Sequence, residues 1–449
     1  MAKPSVNFVC TNCGATATSW SGKCHVCGEW NTLEEQVAIV VGQSLGNKSG
    51  QQLATNNIRA LQKQAVVPRL VTKLEEVDVV LGGGFVPGSV TLIAGQPGIG
   101  KSTLLLQVAN ALAHTHRVLY VSGEESAQQV SLRAARLKTL DKELELATST
   151  HAEDIAATIS TNDFDLVIVD SIQTVSVAAV NSAPGTVSQI ANSTHLLSEA
   201  AKTTSTALVL VGHVTKEGSI AGPKVLEHVV DVVLQLEGDR YGGFKLLRGI
   251  KNRYGSTNEA GIFEMTDSGL VSVANPSAAL LAERQVNDGS VVLATMEGSR
   301  PLLVEVQALV NRTSYGYPKR AASGYDLNRL NLLVAMLERR TKLSLGEHDI
   351  YVNIVGGIRV TEPAADLAVC MAIASASRGM KLKKDAVVFG ELGLSGEVRH
   401  VPFMDKRVAE AGKLGFAIAI GPQVRAGKEI PNLHSVKDIR TALNQHLES

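Results

Sequence analysis

Residues Ser89–Thr103 read SVTLIAGQPGIGKST: an apolar strand, a loop with three glycines, and the start of a helix. The spacing from the first glycine to the Lys-Ser pair fits the phosphate-binding loop pattern G-x-x-x-x-G-K-[ST]. Glycines at these positions let backbone N–H groups turn toward a phosphate, and the N-terminus of the following helix adds positive potential. The sequence therefore predicts a nucleoside-triphosphate site. Its residues are Gly95, Gln96, Pro97, Gly98, Ile99, Gly100, Lys101, Ser102 and Thr103.

The flanking sequence favours this interpretation over a chance glycine-rich turn. The apolar run Val90–Ala94 precedes the loop, and apolar residues repeat at helical spacing from Leu104 to Leu112. In such a loop the lysine reaches the β- and γ-phosphates and the next hydroxyl ligates Mg²⁺. We therefore expect Lys101 to contact the phosphates of ATP and Ser102 to bind the magnesium ion.

Composition limits the class of protein. With 449 residues, 45% of them hydrophobic, the chain is long enough for two or three domains with sizeable cores. The 43 Lys and Arg residues balance 43 Asp and Glu residues, so a nucleic-acid partner would need local basic patches. The first residues lack the apolar core of a signal peptide, and the apolar-rich stretch around Ala364–Ser377 is too short to span a bilayer. We expect a cytoplasmic protein that does not enter a membrane.

Two Cys-x-x-Cys-Gly stretches lie close together near the start of the chain. Their spacing is typical of a structural zinc site closed by four thiolates. A redox dithiol pair is the alternative, but two matched knuckles without a surrounding βαβ pattern favour zinc. The predicted zinc ligands are Cys10, Cys13, Cys24 and Cys27.

The remaining sequence divides by composition and pattern. Trp20 and Trp30 flank the second knuckle, and we expect them to pack this small module, although a stacking face is the alternative. A stretch rich in Gln, Asn, Ser and Gly then predicts a flexible linker. Alternating strand-like and helical patterns follow, which is typical of an α/β sheet. The predicted domains are a zinc-binding module (1–34), a linker (35–67), an ATPase domain (68–274) and a second α/β domain (275–449).

Polar residues end two apolar runs downstream of the phosphate loop. Asp170 ends the run Asp165–Asp170, and His213 ends the run Ala207–His213. Ligands of α/β sheets bind at the carboxyl ends of the strands, where an aspartate suits Mg²⁺. Ordinary strand-end polarity is the alternative, but both positions belong to one predicted sheet with the phosphate loop. We therefore add Asp170 and His213 to the nucleotide site.

The order of motifs resembles that of the RadA family of bacterial DNA-repair proteins, also called Sms. The motifs are the two knuckles, the phosphate loop, Ser122–Ser126 (SGEES), Leu166–Asp170 (LVIVD) and Lys251–Gly255 (KNRYG). The ATPase core is similar to RecA recombinase and to hexameric DnaB-type helicases. The resemblance covers the chain except for the linker.

This resemblance implies roles within the ATPase domain. Glu124 matches the glutamate that polarises the attacking water, with its neighbour Glu125 as the competing candidate. His213 matches a position that senses the γ-phosphate. The segments Ile172–Thr186 and Val214–Lys224 match loops that hold single-stranded DNA, although both could be plain surface loops.

A basic run lies near the end of the ATPase domain. Lys251 and Arg253 match residues that reach the γ-phosphate of a neighbouring subunit, so the resemblance implies a catalytic role for them. The alternative is that Lys251 and Arg253 are surface residues of a hairpin without a catalytic role. For the whole run, a solvated face competes with contact to DNA or phosphate. The run comprises Arg240, Lys245, Arg248, Lys251 and Arg253.

The last domain resembles the proteolytic domain of the Lon proteases, which use a Ser–Lys dyad. The similar stretches are Val304–Tyr317, Asp349–Ile373 and Val388–Val398. Ala364 stands where the family has its nucleophilic serine, and the position of the base lysine falls near Asp405. The resemblance therefore implies an inactive scaffold that supports ring assembly and adds DNA contacts.

The predicted fold is thus α/β: a RecA-like P-loop ATPase core, an N-terminal zinc ribbon and a C-terminal Lon-protease-like domain. The predicted cofactors are ATP, Mg²⁺ and Zn²⁺. The resemblance implies a helicase for branch migration, acting as a homo-oligomeric, hexameric ring on single-stranded and branched DNA beside a RecA-type recombinase. An ATP-switched assembly protein without translocation is the alternative, and Ala364 disfavours a third possibility, an ATP-dependent protease.

Overall fold

The computed structural model describes residues 7–10, 16–17, 19–26, 28–30, 33–36, 68–141, 143–213, 224–238, 244–314, 316–424 and 429–448. The chain forms two compact units. The first comprises Met1–Glu237, Leu247–Thr257 and Thr266–Leu270, and the second comprises Gly238–Leu246, Asn258–Met265 and Val271–Ser449. The chain therefore passes between the units several times before it stays in the second. The predicted boundary between 274 and 275 stays a prediction.

A small antiparallel sheet lies near the start of the chain. Its strands are β1 (Asn7–Cys10), β2 (Thr16–Ala17) and β3 (Leu33–Gln36), with β1 in the centre. Its buried residues are Cys24 and Leu33. Trp20 and Trp30 are 58% and 67% exposed, so the expectation that they pack the module is wrong. The physical reason is the size of this core: the two indoles lie beside Gly22 at the surface instead.

The nucleotide-binding pattern lies in a nine-stranded sheet. Its strands follow the order β12-β11-β10-β9-β4-β8-β7-β5-β6, and the six from β9 to β6 run parallel. The elements are α1 (Glu75–Leu81), β4 (Val90–Gly95), α2 (Lys101–Ala113), β5 (Val118–Ser122), α3 (Ala127–Arg136), β6 (Leu144–Thr148), α4 (Ala152–Thr161), β7 (Leu166–Asp170), α5 (Val187–Thr204), β8 (Ala207–His213), α6 (Lys224–Val229), β9 (Val232–Gly238), β10 (Phe244–Asn252), β11 (Ala260–Thr266) and β12 (Gly269–Ser272).

The register of the parallel strands brings the predicted site residues to one edge. Gly95 lies opposite His213, and Ser122 lies opposite Asp170. Strands β4, β5 and β8 are apolar and buried along nearly their whole length, as expected for a parallel sheet covered on both faces. The polar residues therefore appear only where these strands end.

The second unit contains a seven-stranded mixed sheet, in the order β15-β16-β14-β13-β18-β21-β22. Helix α9 is buried from its first residue to Ser375, and it forms much of the core of this unit. The elements are α7 (Pro276–Leu281), β13 (Ser290–Glu297), β14 (Arg300–Arg312), β15 (Arg320–Ser323), α8 (Leu327–Thr341), β16 (His348–Ile354), a 3₁₀ helix (Pro363–Ala365), α9 (Asp366–Arg378), β17 (Lys381–Leu382), β18 (Ala386–Val388), β19 (Glu391–Leu392), β20 (Val398–Arg399), α10 (Met404–Lys413), β21 (Ile418–Gly421), β22 (Leu433–Ser435), α11 (Ile439–His446) and β23 (Leu447–Glu448).

The helices of the described residues are short or polar. Among them, none has both the length and the apolar character that crossing a bilayer requires.

Candidate nucleotide site

The phosphate loop joins the end of β4 to the start of α2. Ile99 is 1% exposed and anchors the loop, while Gln96–Gly98 form its exposed tip. A Cβ on Gly95 would lie 2.6 Å from the backbone oxygen of Leu236, so only glycine fits where the loop leaves the sheet. At Gly98, by contrast, a Cβ would meet nothing within 4 Å. The loop is therefore fixed at its base and open at its tip.

Helix α2 begins without a side-chain cap. Its N-cap is Gly100, with φ of 117°, and its first turn contains no acidic residue. The first N–H groups of a helix lack intrahelical partners and carry a partial positive charge. This helix end therefore suits an anion.

Lys101 is buried but bonded only to neutral groups. Its Nζ donates to the backbone oxygens of Gly95 (2.8 Å) and Gln96 (3.0 Å) and lies 3.1 Å from Nδ1 of His213. Burial lowers the pKa of Lys101 to about 8, while Asp170 and Glu124 act in the opposite direction. A buried ammonium without a contacting carboxylate is the group that a phosphate can neutralise, so these residues fit the phosphates of ATP.

His213 connects Lys101 to Glu124. An ammonium can only donate, so Nδ1 of His213 accepts from Lys101 and the ring proton lies on Nε2. Nε2 lies 3.4 Å from Oε1 of Glu124, and the same oxygen accepts a hydrogen bond from the hydroxyl of Ser171. The ends of β4, β7 and β8 and the segment after β5 thus share one hydrogen-bonded chain.

Glu125 lies in a different environment from Glu124. Its carboxylate pairs with Arg133 of α3, and its backbone is tied to the hydroxyl of Ser122 by bonds of 2.8 and 3.0 Å. The structure therefore brings Glu124, and not Glu125, to Lys101 and His213.

A buried tyrosine donates a hydrogen bond to the carboxylate of Asp170. Its Oδ2 accepts a hydrogen bond of 2.5 Å from the hydroxyl of Tyr120, which is 1% exposed. Burial raises the pKa of Tyr120 well above its ordinary value, and Asp170 raises it further. Carboxylate and hydroxyl oxygens are the ligands that Mg²⁺ prefers, so Asp170 and the half-buried Ser102 fit this ion.

The sequence analysis missed three residues that fix these side chains: Tyr120, Arg133 and Ser171. Ser171 directly follows Asp170, and Tyr120 precedes Ser122 by two residues on the same face of β5. Strand periodicity could have identified Tyr120. Arg133 left no comparable signal, because its partner depends on how α3 packs.

The two segments assigned to DNA differ in what the structure describes. Ile172–Thr186 consists of turns, and its first residue donates from its backbone to the oxygen of Val211 (3.0 Å). Residues 214–223 of the other segment, including Lys216, lie outside the described residues, and Lys224 begins α6.

Lys251 and Arg253 do not reach the phosphate loop of their own chain. Arg253 pairs with Asp231 (3.0 Å), whose other oxygen accepts a hydrogen bond from the backbone of Val90 (3.1 Å). Lys251 donates to the backbone oxygens of Glu227 (2.5 Å) and Val230 (2.7 Å).

Val90 begins β4, whereas the phosphate loop follows its end. At roughly 3.3 Å per residue, the two ends of β4 are about 17 Å apart. Lys251 and Arg253 therefore lie at the opposite edge of the sheet from Lys101.

The rest of the basic run is not a uniform solvated face. Lys245 is 3% exposed, and Arg248 pairs with Glu237 (2.9 Å). Arg240 lies outside the described residues. The interpretation of the run as a surface for DNA therefore has no support from Lys245, because strand alternation turns its side chain inward.

The predicted zinc ligands are described only in part. Cys10 ends β1, and Cys24 is 1% exposed at the start of a turn closed by Gly28, whose N–H donates to the oxygen of Cys24 (3.0 Å). Cys13 and Cys27 lie outside the described residues. The buried thiol and the tight turn fit a zinc knuckle.

Ala364, which the sequence analysis aligned with the Lon nucleophile, lies two residues from Glu362, a member of a buried ion pair. Ala364 is 2% exposed within the 3₁₀ helix. Nearby, Arg407 is 1% exposed and forms a bidentate pair with Glu362, at 2.8 and 2.6 Å. Lys406 points elsewhere, since its Nζ donates to the oxygen of Ser299 (3.1 Å).

A second ion pair, between Arg329 and the buried Asp366, lies close in sequence to the first. Asp366 is fully buried and accepts from Arg329, from the hydroxyl of Tyr325 (2.7 Å) and from the backbone of Leu392 (3.1 Å). The charge of Asp366 is therefore satisfied within the fold. Cys370, also buried, has its pKa raised by burial.

Comparison with curated proteins shows the family. The chain is 49% identical to the DNA repair protein RadA of Brucella abortus, over 94% of this chain and 92% of that protein. It is 49% identical to RadA of Pseudomonas aeruginosa, over 96% of both chains, and 44% identical to RadA of Escherichia coli, over 99% of both. The chain belongs to the RadA family. The predicted resemblance is therefore confirmed.

Three family models match parts of the chain, and the predicted domain bounds stay predictions. A rubredoxin metal binding domain matches residues 8–35, an AAA domain matches 57–219, and the subunit ChlI of Mg-chelatase matches 333–424. A solved RadB recombinase matches 45% of this chain and 99% of its own, with 23% identity and a TM-score of 0.38. The predicted fold class is confirmed, and the ATPase core and zinc ribbon assign ATP and zinc as cofactors.

Proposed function

We propose that this chain is an ATP-driven DNA motor of recombinational repair, a helicase that drives branch migration on single-stranded and branched DNA. The observation that carries the proposal is the buried Lys101, bonded only to neutral groups and linked through His213 to Glu124. Its curated relatives are DNA repair proteins. We further propose that it works in the cytoplasm, associated with the nucleoid, beside a RecA-type recombinase.

Each residue of the site has a distinct task in this proposal. Bound ATP supplies the phosphoryl group that is transferred to water. Lys101 and the loop N–H groups would hold the phosphates, and Asp170 with Ser102 would hold Mg²⁺, which neutralises charge on the phosphate oxygens when bound. Glu124 orients the attacking water and accepts its proton, while His213 exchanges its contact with Lys101 for one with the γ-phosphate.

The assignment of Glu124 has a matched control in its neighbour. Losing a general base costs about 10²–10⁴-fold in rate. We expect Glu124→Gln to lower steady-state ATP hydrolysis by that factor, and Glu125→Gln to have a far smaller effect because its carboxylate pairs with Arg133. The reverse order of the two variants would transfer the role to Glu125.

A hexameric ring would let Arg253 act on a neighbouring subunit. Its side chain is 54% exposed, and the site of its own chain lies at the other edge of the sheet. Arginine fingers supplied in trans are worth about 10³–10⁵ in rate in GTPases. Lys251 donates hydrogen bonds to the backbone oxygens of Glu227 and Val230. In this proposal it would act beside Arg253 or hold Arg253 in place.

Mixed rings test this trans role. Arg253→Ala should bind ATP but hydrolyse it poorly. Mixing it with Lys101→Ala subunits should restore part of the activity, because an intact loop can then meet an intact neighbouring arginine. Mixed rings without recovery at any ratio, formed under conditions where wild-type subunits exchange, would rule out the trans role.

DNA binding in this proposal arises from the ring. The net charge of the chain is zero, so a single subunit has little long-range attraction for phosphates. Repetition of Ile172–Thr186 and Val214–Lys224 around a channel would collect many weak contacts. Binding of single-stranded DNA should therefore require ATP-dependent assembly.

Strand displacement separates the motor from its alternative. With ATP, the wild-type protein alone should unwind a forked duplex, and Lys101→Ala should not. DNA-stimulated ATP hydrolysis without displacement on any fork, with either polarity of the single-stranded arms, would instead indicate an ATP-switched assembly protein.

We propose that the ribbon holds one zinc ion through Cys10, Cys13, Cys24 and Cys27. Cys27→Ser should release the metal, measured by elemental analysis, without lowering the unfolding midpoint of the ATPase core. Wild-type protein purified without chelators and free of zinc would contradict this assignment.

We also propose that the Lon-like domain is an inactive scaffold for the ring with additional DNA contacts. An alanine at 364 offers no hydroxyl for an acyl-enzyme. Even Ala364→Ser should cleave no casein, because Asp405 stands at the base position and Lys406 bonds to Ser299. ATP-dependent proteolysis by the wild type, retained after further purification, would refute the proposal.

A further inference from the structure

We propose that Tyr120 is a positioning residue for Asp170 that sets the affinity of the site for its divalent cation. This inference rests on the proposed Mg²⁺-dependent ATP hydrolysis. It starts from one contact, the 2.5 Å hydrogen bond from the hydroxyl of Tyr120 to Oδ2 of Asp170. Its consequence is a defined orientation for a carboxylate at the end of a strand.

Strand register places the two side chains on one face. Ser122 of β5 lies opposite Asp170 of β7, and Tyr120 precedes Ser122 by two residues. Successive side chains of a strand alternate between faces, so Tyr120 and Ser122 share a face with Asp170. Asp170 lies two residues beyond Ile168, the register partner of Tyr120, an offset of about 7 Å along the strand that a tyrosine side chain spans.

The ring of Tyr120 has no freedom to follow a moving carboxylate. Tyr120 is 1% exposed, and every residue of β5 is buried. Its hydroxyl is therefore a fixed donor, and Asp170 keeps Oδ2 turned toward the sheet. The other oxygen, Oδ1, is not engaged by Tyr120, and the carboxylate lies close enough to Lys101 to raise the pKa of its ammonium.

This arrangement determines how Asp170 meets a cation. When one oxygen of a carboxylate accepts a hydrogen bond from a fixed donor, only the other oxygen is available to a cation, and only from one direction. This arrangement suits the strict octahedral geometry of Mg²⁺. Groups that orient a metal ligand in this way typically contribute 10–100-fold to metal affinity. Tyr120 would contribute through Asp170, without contacting the cation.

The second unit supplies a matched control. Tyr325 is 8% exposed and donates from its hydroxyl to Oδ1 of the buried Asp366 at 2.7 Å. Tyr325→Phe removes the same kind of bond as Tyr120→Phe, but from a cluster that binds no nucleotide in our proposal. Any effect that both variants share is a general cost of losing a buried tyrosine–aspartate bond.

The test measures cation binding directly. Mn²⁺ binding to the full-length protein with ADP is followed by electron paramagnetic resonance, next to metal-free ADP binding. We expect Tyr120→Phe to raise the dissociation constant for Mn²⁺ by about 10–100-fold, with metal-free ADP binding unchanged, and Tyr325→Phe to change neither. An unchanged Mn²⁺ constant in Tyr120→Phe, or an equal rise in both variants, would overturn the inference.

A double-mutant cycle covers the case in which Tyr120→Phe disturbs the fold. If Tyr120 acts through the carboxylate of Asp170, then Tyr120→Phe added to Asp170→Asn should cause no further loss of Mn²⁺ binding. Independent losses in the double variant would also overturn the inference. Failure of the proposed function is distinct, because the wild type would then show no Mg²⁺-dependent ATP hydrolysis at all.

Discussion

Two buried cationic side chains in this protein have opposite kinds of partners. Lys101 in the first unit is bonded to two backbone oxygens and a histidine nitrogen, all neutral. Arg407 in the second unit is bonded to both oxygens of Glu362 and to the backbone oxygens of Ala294 and Pro402. The first charge lacks a contacting anion, and the second has one within its own fold.

This difference separates a binding site from a structural cluster. Leaving a buried charge without a counter-charge is costly, so folds retain one mainly where a ligand supplies it. Near Ala364, by contrast, the charges of Arg407 and Glu362 and those of Arg329 and Asp366 are paired within the fold.

The largest effect should come from breaking the internal pair. Arg407→Met leaves Glu362 without its cation, and losing one member of a buried pair costs about 3–5 kcal/mol of the free energy of unfolding. Urea unfolding of the second unit's transition measures this change. Arg407→Met combined with Glu362→Gln should recover part of the loss. A loss of less than about 1 kcal/mol of the free energy of unfolding, the value of a surface ion pair, would mean that the pair of Arg407 and Glu362 does not stabilise the fold.

Lys101→Met should show the opposite pattern. ATP hydrolysis should fall by about 10²–10³-fold, the cost of removing one charge-stabilising group, while the free energy of unfolding at neutral pH should not fall, because the variant no longer buries an unpaired charge. The exposed Lys413→Met serves as a control for both measurements.

Comparing the pH dependence of stability in the wild type and in Lys101→Met tests whether the pKa of Lys101 is lowered in the folded protein. In the nucleotide-free protein the pKa of Lys101 lies at about 8, below its unfolded value of 10.5, so the unfolded state binds more protons between these limits. Wild-type stability, relative to Lys101→Met, should therefore rise from pH 8 to pH 10. A fall over this range would mean that an anion already pairs with Lys101.

A smaller effect should come from the imidazole of His446, a buried side chain in the second unit. His446 is 4% exposed, and neither ring nitrogen has a hydrogen-bond partner among the described residues. Burial lowers the pKa of His446, and His434 and Lys383 lower it further. The stability contributed by the neutral ring is present above pH 6.5 and is lost as the pH falls through the lowered value.

His446→Leu should reduce this loss at acidic pH. The expected result is a flatter dependence of the urea midpoint on pH below 6.5, while the exposed His195→Leu leaves the slope unchanged. Identical slopes in the wild type and His446→Leu would show that water or an anion reaches the ring.

The sequence predicted the elements of the nucleotide site because its signals are local. The phosphate loop has fixed spacing, and Asp170 and His213 end uninterrupted apolar runs that parallel pairing brings to one edge. Contacts between strands were not predictable in the same way. The different environments of Glu124 and Glu125 depend on Arg133 and Ser171, whose positions follow from packing and register.

The incorrect expectations share a physical cause. The expectation for Trp20 and Trp30 assumed that large apolar side chains are buried, but the ribbon has too small a core to hold them. The basic run was left open between a solvated face and contact to DNA or phosphate, and Lys245, on the inward face of β10, fits neither interpretation. In both cases the environment, and not the residue type, decides exposure.

The passage of the chain between the two units limits how the gene can recombine during evolution. Leu246 and Ile262 belong to the core of the second unit, together with residues such as Val291 and Leu303, although both precede residue 274 in the sequence. A gene fragment that ends at the predicted boundary would encode these side chains without their packing partners. A crossover between two related genes at that point would likewise join halves of one core from different parents. The ATPase and its Lon-like companion can therefore be exchanged during evolution only by transferring the interleaved strands as well.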